Sequence, residues 1–192
     1  MEQKYEEYSD RELYEMLTKD KAIAEKAFAE LYSRFSSMVY AYILRFMGDK
    51  DEAKDVFQDT FVKFHQCAWQ DRNMTNVPGF LMTIARNLCI NEKRNDQKSI
   101  SYEEYMGEKD DPEEAKEKDE LLELVKMAMD LLPDDLKEVF ILREYQGYSY
   151  HEIADLTNEK LSNVKVRIFR ARNKIREILK PYLKEIKKYE NN

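Results

Sequence analysis

The segment KLSNVKVRIFRARNKIREILK, residues 160–180, predicts a long basic helix. It holds eight cations and a single acid, Glu177, in a chain whose formal net charge is -7. Its apolar residues recur every three or four positions, which is the spacing of one helix face. This apolar stripe comprises Leu161, Val164, Ile168, Ala171, Ile175 and Leu179. We therefore expect one buried face and one exposed, positively charged face.

The residues before this segment predict a short helix and a turn. Ser149 and Glu152 have the spacing of a capping box that opens the helix HEIADL, and TNEK, residues 157–160, follows it. A short capped helix, a turn and a long basic helix form a helix-turn-helix, whose second helix enters the DNA major groove. The candidate DNA-contacting residues are Lys160, Ser162, Asn163, Lys165, Val166, Arg167 and Arg170.

A solvated charged face is the ordinary explanation of a helix rich in lysine and arginine. Two observations favour DNA instead. The segment carries a net charge of +7, because eight cations face one acid, whereas an ordinary surface helix interleaves Glu with Lys. Ser162, Asn163 and Lys165 also lie near the helix start, where side chains of this kind read base edges.

The composition indicates an all-α protein of the cytoplasm. The chain has 192 residues with only 4 Gly and 4 Pro, which is too few for the turns of a sandwich or barrel. The acidic N-terminus MEQKYEEYSD does not resemble a signal peptide. The run MVYAYILRFMG contains Arg45 and is shorter than the ~20 residues of a membrane span, so we expect no membrane insertion.

The sequence predicts neither a metal or cofactor site nor an enzyme. A zinc site on His65, Cys67 and Cys89 would lack a fourth ligand of the usual kind, and the helical spacing around Cys89 favours a core residue. Two cysteines cannot form a disulfide framework. With two histidines and no phosphate-binding loop, no nucleophile, base and oxyanion site is assembled.

The N-terminal half predicts four helices. Ser9 and Glu12 fit a capping box that opens the first, and Gly48 is a plausible end of the second, which covers residues 22–48. The third is DEAKDVFQDTFVKFHQCAW, and the fourth is FLMTIARNLCINEKR, beginning at Phe80.

An acidic segment separates the two halves. EEYMGEKDDPEEAKEKDE, residues 103–120, contains ten acids and three lysines and few apolar groups. Such a composition cannot bury enough surface to order itself, so we interpret it as a flexible linker. We therefore predict two small helical domains, 1–98 and 119–192, joined by a linker over 99–118.

Two surfaces of the N-terminal half are candidate binding sites. The third helix has a polar face that suits an Arg-rich partner but also fits a plain solvated surface; its residues are Asp55, Gln58, Asp59 and Lys63. Aromatic and basic groups at the fourth helix suit unpaired bases; they are Trp69, Phe80, Arg86, Asn87, Asn91 and Arg94. Trp69 and Phe80 are equally compatible with the core.

The sequence also resembles a known family in two places. LPDDLKEVFILREYQGYSYHEIADL followed by VKVRIFRARNKI resembles the fourth conserved region of RNA polymerase sigma factors, and more narrowly the extracytoplasmic function (ECF) group. AEKAFAELYSRFSSMVYAYILRFMGDKDEAKDVFQDTFVKF and PGFLMTIARNLCINEKR resemble its other conserved domain, region 2. The order of the two matches around a linker is that of the family.

The resemblance implies an initiation factor that binds RNA polymerase core and selects promoters. In the family, the C-terminal domain binds the −35 element as duplex, and the fourth helix with the preceding loop captures the melted −10 element. The surface around Asp55 would dock on a coiled coil of a large polymerase subunit, with the flap region as a second contact. An anti-sigma factor is the expected regulator.

The match has two departures, and two other functions remain open. Thr157, Asn158 and Glu159 replace the usual small apolar residues of the turn, and Asn163 stands where Thr is commonest. A stand-alone helix-turn-helix regulator would bind specific duplex without polymerase. An α-helical adaptor that binds only proteins would be indifferent to Arg170→Ala.

Overall fold

The chain is helical in every regular element that the structure describes. The computed structural model describes residues 4–70, 74–99 and 117–189, and the chain divides into two compact units, Met1–Ser101 and Tyr102–Asn192. The prediction of an all-α fold is confirmed. Residues 100–116 of the predicted linker lie outside the described residues.

The N-terminal unit is built around one long central helix. A 3₁₀ turn at Tyr5–Glu7 precedes the unit's four helices, which are α1 (Asp10–Met16), α2 (Lys21–Met47), α3 (Lys50–Cys67) and α4 (Val77–Ser99). Helix α2 packs against the other three. Its apolar side chains form the middle of the core, and the fully buried ones include Leu31, Val39, Tyr42 and Ile43.

Short polar contacts set the helix boundaries. The predicted capping box of α1 is present, with the Ser9 amide donating to Glu12 Oε2 at 2.8 Å. Gly48 ends α2 in the left-handed conformation, at φ 84°. Helix α4 begins at Val77, three residues before the predicted start at Phe80, because Asn76 Oδ1 accepts a hydrogen bond from the Gly79 amide at 3.0 Å.

Arg34 of α2 connects α2 to the N-terminal turn and to α1 through hydrogen bonds and ion pairs. Its guanidinium donates to the carbonyls of Glu6 and Tyr8, both at 3.0 Å. It also pairs with the carboxylates of Asp10 and Glu30, both at 2.7 Å. The hydrogen bond to Asp10 is the main cause that raises the pKa of the Arg34 guanidinium.

We expect Arg34→Met to lower the free energy of unfolding of the N-terminal unit by about 2 kcal/mol, because it removes several charge-assisted hydrogen bonds at once. The matched control is Arg11→Met, which breaks an exposed pair with Glu15 and should change stability by about 0.5 kcal/mol or less. Urea titration followed by circular dichroism measures both. Equal losses in the two variants would contradict the anchoring role of Arg34.

The C-terminal unit surrounds the long basic helix. Its elements are α5 (Glu117–Asp130), α6 (Asp134–Phe140), a π-helical turn (Ile141–Tyr145), α7 (Tyr150–Thr157) and α8 (Leu161–Tyr189). Helix α8 packs against α5, α6 and α7. Its predicted apolar stripe is buried, at no more than 7% exposure for Val164, Ile168, Ala171, Ile175 and Leu179, while Leu161 is half-buried.

From the sequence we expect one continuous helix that starts near Pro133 and ends near Gly147, but Ile141–Tyr145 form a π turn within this range. The Gln146 amide donates to the Ile141 carbonyl, five residues back, at 3.1 Å. The wide turn therefore follows α6 directly, and the chain leaves it through Gly147, whose φ is 75°. Positive φ favours glycine because it has no Cβ.

The described residues offer no site for a metal ion and no membrane-spanning helix. Within the described ranges, no group of three or more His, Cys, Asp or Glu side chains gathers where a metal ion could bind. Cys89 is fully buried in α4, and His65 packs edge-on against Phe28 with ring centroids 5.7 Å apart. In the same ranges, no helix combines the length and apolarity of a membrane span.

Candidate nucleic-acid interface

The turn before α8 is tightly defined by hydrogen bonds. The predicted capping box of α7 is present, with the Ser149 amide donating to Glu152 Oε2 at 2.7 Å, and this backbone hydrogen bond lowers the pKa of Glu152. Asn158 ends α7 with φ 53°, a left-handed conformation that Asn tolerates better than most residues. The departure from the family's turn residues therefore still yields a tight turn, and α8 begins at Leu161.

Most of the predicted DNA-contacting residues share the solvent-facing side of α8 or precede it directly. The exposed ones are Lys160, Ser162, Asn163, Lys165, Val166 and Arg170. Val166 is 47% exposed although it is apolar. Within the described part of the chain, the side chains of Lys160, Lys165 and Arg170 form no ion pair, so their charges face solvent.

Phe169 belongs to the same face but was not among the predicted site residues. It is 65% exposed, whereas its neighbour Ile168 is 1% exposed. The signal available in the sequence was its position outside the apolar stripe of a basic helix. An exposed aromatic ring beside Val166 and Arg170 gives this face an apolar contact surface as well as charge.

Arg167 lies apart from this face. Its side chain is 13% exposed and pairs with the carboxylates of Glu138 and Glu159. Arg172 is also paired, because its Nε donates to Glu144 Oε1 at 2.8 Å, and this hydrogen bond raises the pKa of the Arg172 guanidinium. Two of the eight cations in residues 160–180 are therefore bound to carboxylates of the same unit.

Helix α3 presents the second predicted surface. All four residues expected to bind a partner are exposed at helical spacing along one side, namely Asp55, Gln58, Asp59 and Lys63. Beside them lies a groove of about 520 Å³ between α2 and α3, which Gln58 also lines. The groove is mainly apolar and aromatic, with Phe28, Tyr32, Phe57, Phe61 and Val62 among its lining residues.

Helix α4 carries the third predicted surface. Asn87, Asn91 and Arg94 are exposed at spacings of four and three, so they share one face. Arg86 is half-buried and donates to Asn87 Oδ1 at 3.2 Å. On the adjoining side, Lys93 pairs with Glu52 of α3 at 3.2 Å and ties the two helices together.

The two aromatic candidates of the N-terminal unit have different environments. Phe80 is half-buried against the core, with its ring 6.4 Å from Tyr14 and 6.3 Å from Phe64. Trp69 is 56% exposed at the end of α3. It lines a groove of about 510 Å³ with Leu17 and other residues, none of which comes from α4. The structure therefore does not bring Trp69 into the α4 face.

The fold and these surfaces define a DNA-binding transcription factor of two helical units. The family description "Sigma-70 region 2" matches residues 31–99, and "Sigma-70, region 4" matches residues 122–175. The RNA polymerase sigma-H factor of Pseudomonas aeruginosa is 30% identical over 174 residues, which cover 84% of this chain and 90% of that protein. The chain belongs to the sigma-70 family of RNA polymerase sigma factors, in the ECF group.

Another relative has a similar name, and two solved structures share the fold. The ECF RNA polymerase sigma-E factor of Escherichia coli is 29% identical over 192 residues, covering 93% of this chain and 98% of that protein. The fold is similar to that of sigma factor RpoE from Bartonella quintana in complex with anti-sigma factor NepR, with TM-score 0.66, 24% identity and coverage of 81% and 98% of the two chains. CnrH in complex with the cytosolic domain of CnrY gives TM-score 0.62, 21% identity and coverage of 90% and 97%.

Membership of this group assigns the activity. The chain directs promoter-specific transcription initiation, and its partners are RNA polymerase and promoter DNA. The predictions of a sigma factor, of its two partners and of a role in initiation are therefore confirmed. The stand-alone regulator and the protein-only adaptor do not fit this family membership.

Proposed function

We propose that the two units divide promoter recognition between closed and opened DNA. The C-terminal unit, assigned to residues 119–192, binds the −35 element as duplex. The N-terminal unit, assigned to residues 1–98, docks on polymerase core and holds the −10 element as a single strand. The observation that carries this proposal is α8, which buries its apolar stripe from Val164 to Leu179 and leaves six residues of the predicted site exposed at or just before its start.

For the −35 element, the exposed face of α8 offers each kind of contact that duplex recognition needs. Ser162 and Asn163 can exchange hydrogen bonds with base edges, and Val166 and Phe169 can contact a thymine methyl group. Lys160, Lys165 and Arg170 are solvated cations suited to phosphates, which fix register rather than sequence. One exposed face of α8 therefore offers contacts for both affinity and selectivity.

For the −10 element, the exposed face of α4 supplies two amides and a guanidinium. Asn87, Asn91 and Arg94 can bind the Watson–Crick edges of bases once these are unpaired. Such contacts offset the few kcal/mol that unstacking and unpairing a flipped base requires. Phe80 of the same helix packs on Tyr14 and Phe64 and has a structural role. Trp69 is exposed and suited to stacking on a base, but it lies outside the α4 face.

Docking on polymerase is assigned to α3 and to an apolar patch on α5. The carboxylates of Asp55 and Asp59 suit arginines on a coiled coil of a large subunit. At the C-terminal unit, Met127 and Leu131 are 51% and 65% exposed, and this pair suits the flap region. The segment between α4 and α5 then only needs to connect two units that polymerase holds at fixed separation.

Regulation by a protein partner is also part of the proposed function. Two related folds were solved with anti-sigma partners, RpoE with NepR and CnrH with CnrY, and we assign this chain an anti-sigma partner of the same kind. We assign the chain to the cytoplasm, where polymerase and the chromosome are found. The chain acts by recognition without catalysis, metal or cofactor.

Run-off transcription tests the division of labour. Bacterial core polymerase and genomic fragments are incubated with the intact chain or with a form that ends before Leu121. We expect discrete transcripts with the intact chain, and core binding without −35-dependent transcripts with the shortened form. Identical transcripts from both forms, or no association with core polymerase at low salt, would overturn the proposal.

A further inference from the structure

Arg167 is withdrawn from solvent on the flank of the exposed basic face of α8. Its side chain is 13% exposed, although the flanking residue Val166 is 47% exposed. A cation that served only to attract phosphate would be expected in contact with water, like Lys165 and Arg170, both of which are exposed. The position of Arg167 therefore calls for another role.

The guanidinium of Arg167 joins three segments of the C-terminal unit. Nη1 donates to the carboxylate of Glu159, in the turn that precedes α8. Nη2 donates to the backbone carbonyl of Asp135 and, at 3.1 Å, to Glu138 Oε2, both in α6. Nε lies 3.9 Å from Asp135 Oδ2. One side chain thus links α6, the turn and α8.

This network is buried on the α6 side and half-buried at the turn. The side chain of Glu138 is 4% exposed and that of Glu159 is 30% exposed. Because the planar guanidinium presents several donors at fixed angles, it specifies the relative orientation of its acceptors, which a lysine ammonium does less well. Removing Arg167 would take away one charge partner of the buried Glu138 carboxylate, which is unfavourable.

We propose that Arg167 is a positioning residue, which sets the orientation of α8 on α6 and so directs Ser162, Asn163 and Val166 to the bases without contacting DNA itself. The inference rests on the proposed binding of duplex by α8. Arg172 makes a second link, to Glu144 after α6, but its side chain is 42% exposed, so this pair is screened by water. Arg167 is therefore the more buried of the two arginine links that join α8 to the rest of the unit.

A positioning residue and a phosphate-binding residue leave different marks on DNA binding. A phosphate contact contributes about 0.9 to the slope of log affinity against log salt and acts on every sequence. A residue that orients the base-reading side chains changes the preference for the correct sequence and leaves the slope unaltered. We expect Arg167→Met to reduce the ratio of specific to nonspecific affinity by about tenfold or more, the size of losing one base pair of the site.

The measurement uses the full chain bound to core polymerase. The specific probe is a duplex that the wild-type complex selects from a library randomised at the −35 position, and the nonspecific probe is the same duplex scrambled. Arg167→Met is compared with Arg170→Ala. The Arg170→Ala variant should bind both probes more weakly, and the magnitude of its salt slope should fall by about 0.9. Glu159→Gln is the milder variant, because it weakens the network and keeps every cation.

Glu159→Gln separates the two roles most sharply. If Arg167 positions α8, this variant also loses selectivity, in the same direction as Arg167→Met and with an unchanged slope. If Arg167 instead binds phosphate in the complex, Glu159→Gln frees the guanidinium for that contact. Selectivity then stays intact, and the magnitude of the salt slope increases. The inference is overturned if Arg167→Met and Arg170→Ala reduce the magnitude of the salt slope equally. It is also overturned if Arg167→Met changes the affinity for neither probe. A wild-type complex that selects no duplex overturns the proposed function itself.

Discussion

Asp55→Lys combined with Asp59→Lys is expected to lower the affinity of the chain for core RNA polymerase by about a hundredfold or more, because it places like charges against an Arg-rich partner. Both side chains are exposed at adjacent turns of α3, so the fold should be unaffected. A titration of labelled chain with core polymerase, followed by fluorescence anisotropy, measures the effect. Run-off transcription should fall in parallel.

The control for this prediction reverses the charge of two other acidic residues in the same unit. Glu7→Lys combined with Glu15→Lys changes the net charge equally, and both residues are exposed. We expect this variant to bind core polymerase as the wild type does, within about twofold, because rim charges away from the contact act weakly through screened solvent. Equal loss of affinity in the two double variants would show that overall charge, and not the α3 face, governs docking.

Ile168→Asp is expected to unfold the C-terminal unit, with a loss of more than about 4 kcal/mol, because a carboxylate would replace a core side chain. Ile168 is 1% exposed and lies in the centre of the buried stripe. The matched control is the adjacent Phe169→Asp, at a position that is 65% exposed. This second variant should melt like the wild type and lose duplex binding.

Circular dichroism melting and binding to the selected duplex distinguish these neighbours. The helical signal of the unit should lose its cooperative transition in Ile168→Asp and keep it in Phe169→Asp. A stable Ile168→Asp protein would contradict the packing of α8. Full duplex affinity in Phe169→Asp would exclude this ring from the DNA-contacting face.

The sequence was sufficient where local pattern determines structure. The apolar stripe of α8 and both capping boxes follow from spacing within a few residues, and each was found as predicted. The start of α4 was not predicted, because Asn and Gly are also common in loops. Only the hydrogen bond between Asn76 and Gly79 shows that these residues begin a helix. The π turn leaves no distinct apolar period, so it could not be recognised.

Site residues were predictable only as far as their exposure followed helical spacing. The faces of α3 and α4 emerge as expected, because exposed residues repeat at three and four positions. Arg167 also lay on the flank of a basic face by spacing, but its partners Glu138 and Glu159 are 29 and 8 residues away in the chain. Such pairing depends on tertiary packing, so it cannot be predicted from the helical spacing of residues.

The wide turn at Ile141–Tyr145 has a consequence for the comparison of sequences. A π turn holds one residue more than the α turn that it replaces, because its hydrogen bonds span five residues instead of four. Relatives with a single-residue deletion between Phe140 and Gly147 would close this turn as ordinary α-helix. An alignment gap at that point would therefore mark a local tightening of the backbone, with the downstream helices retained.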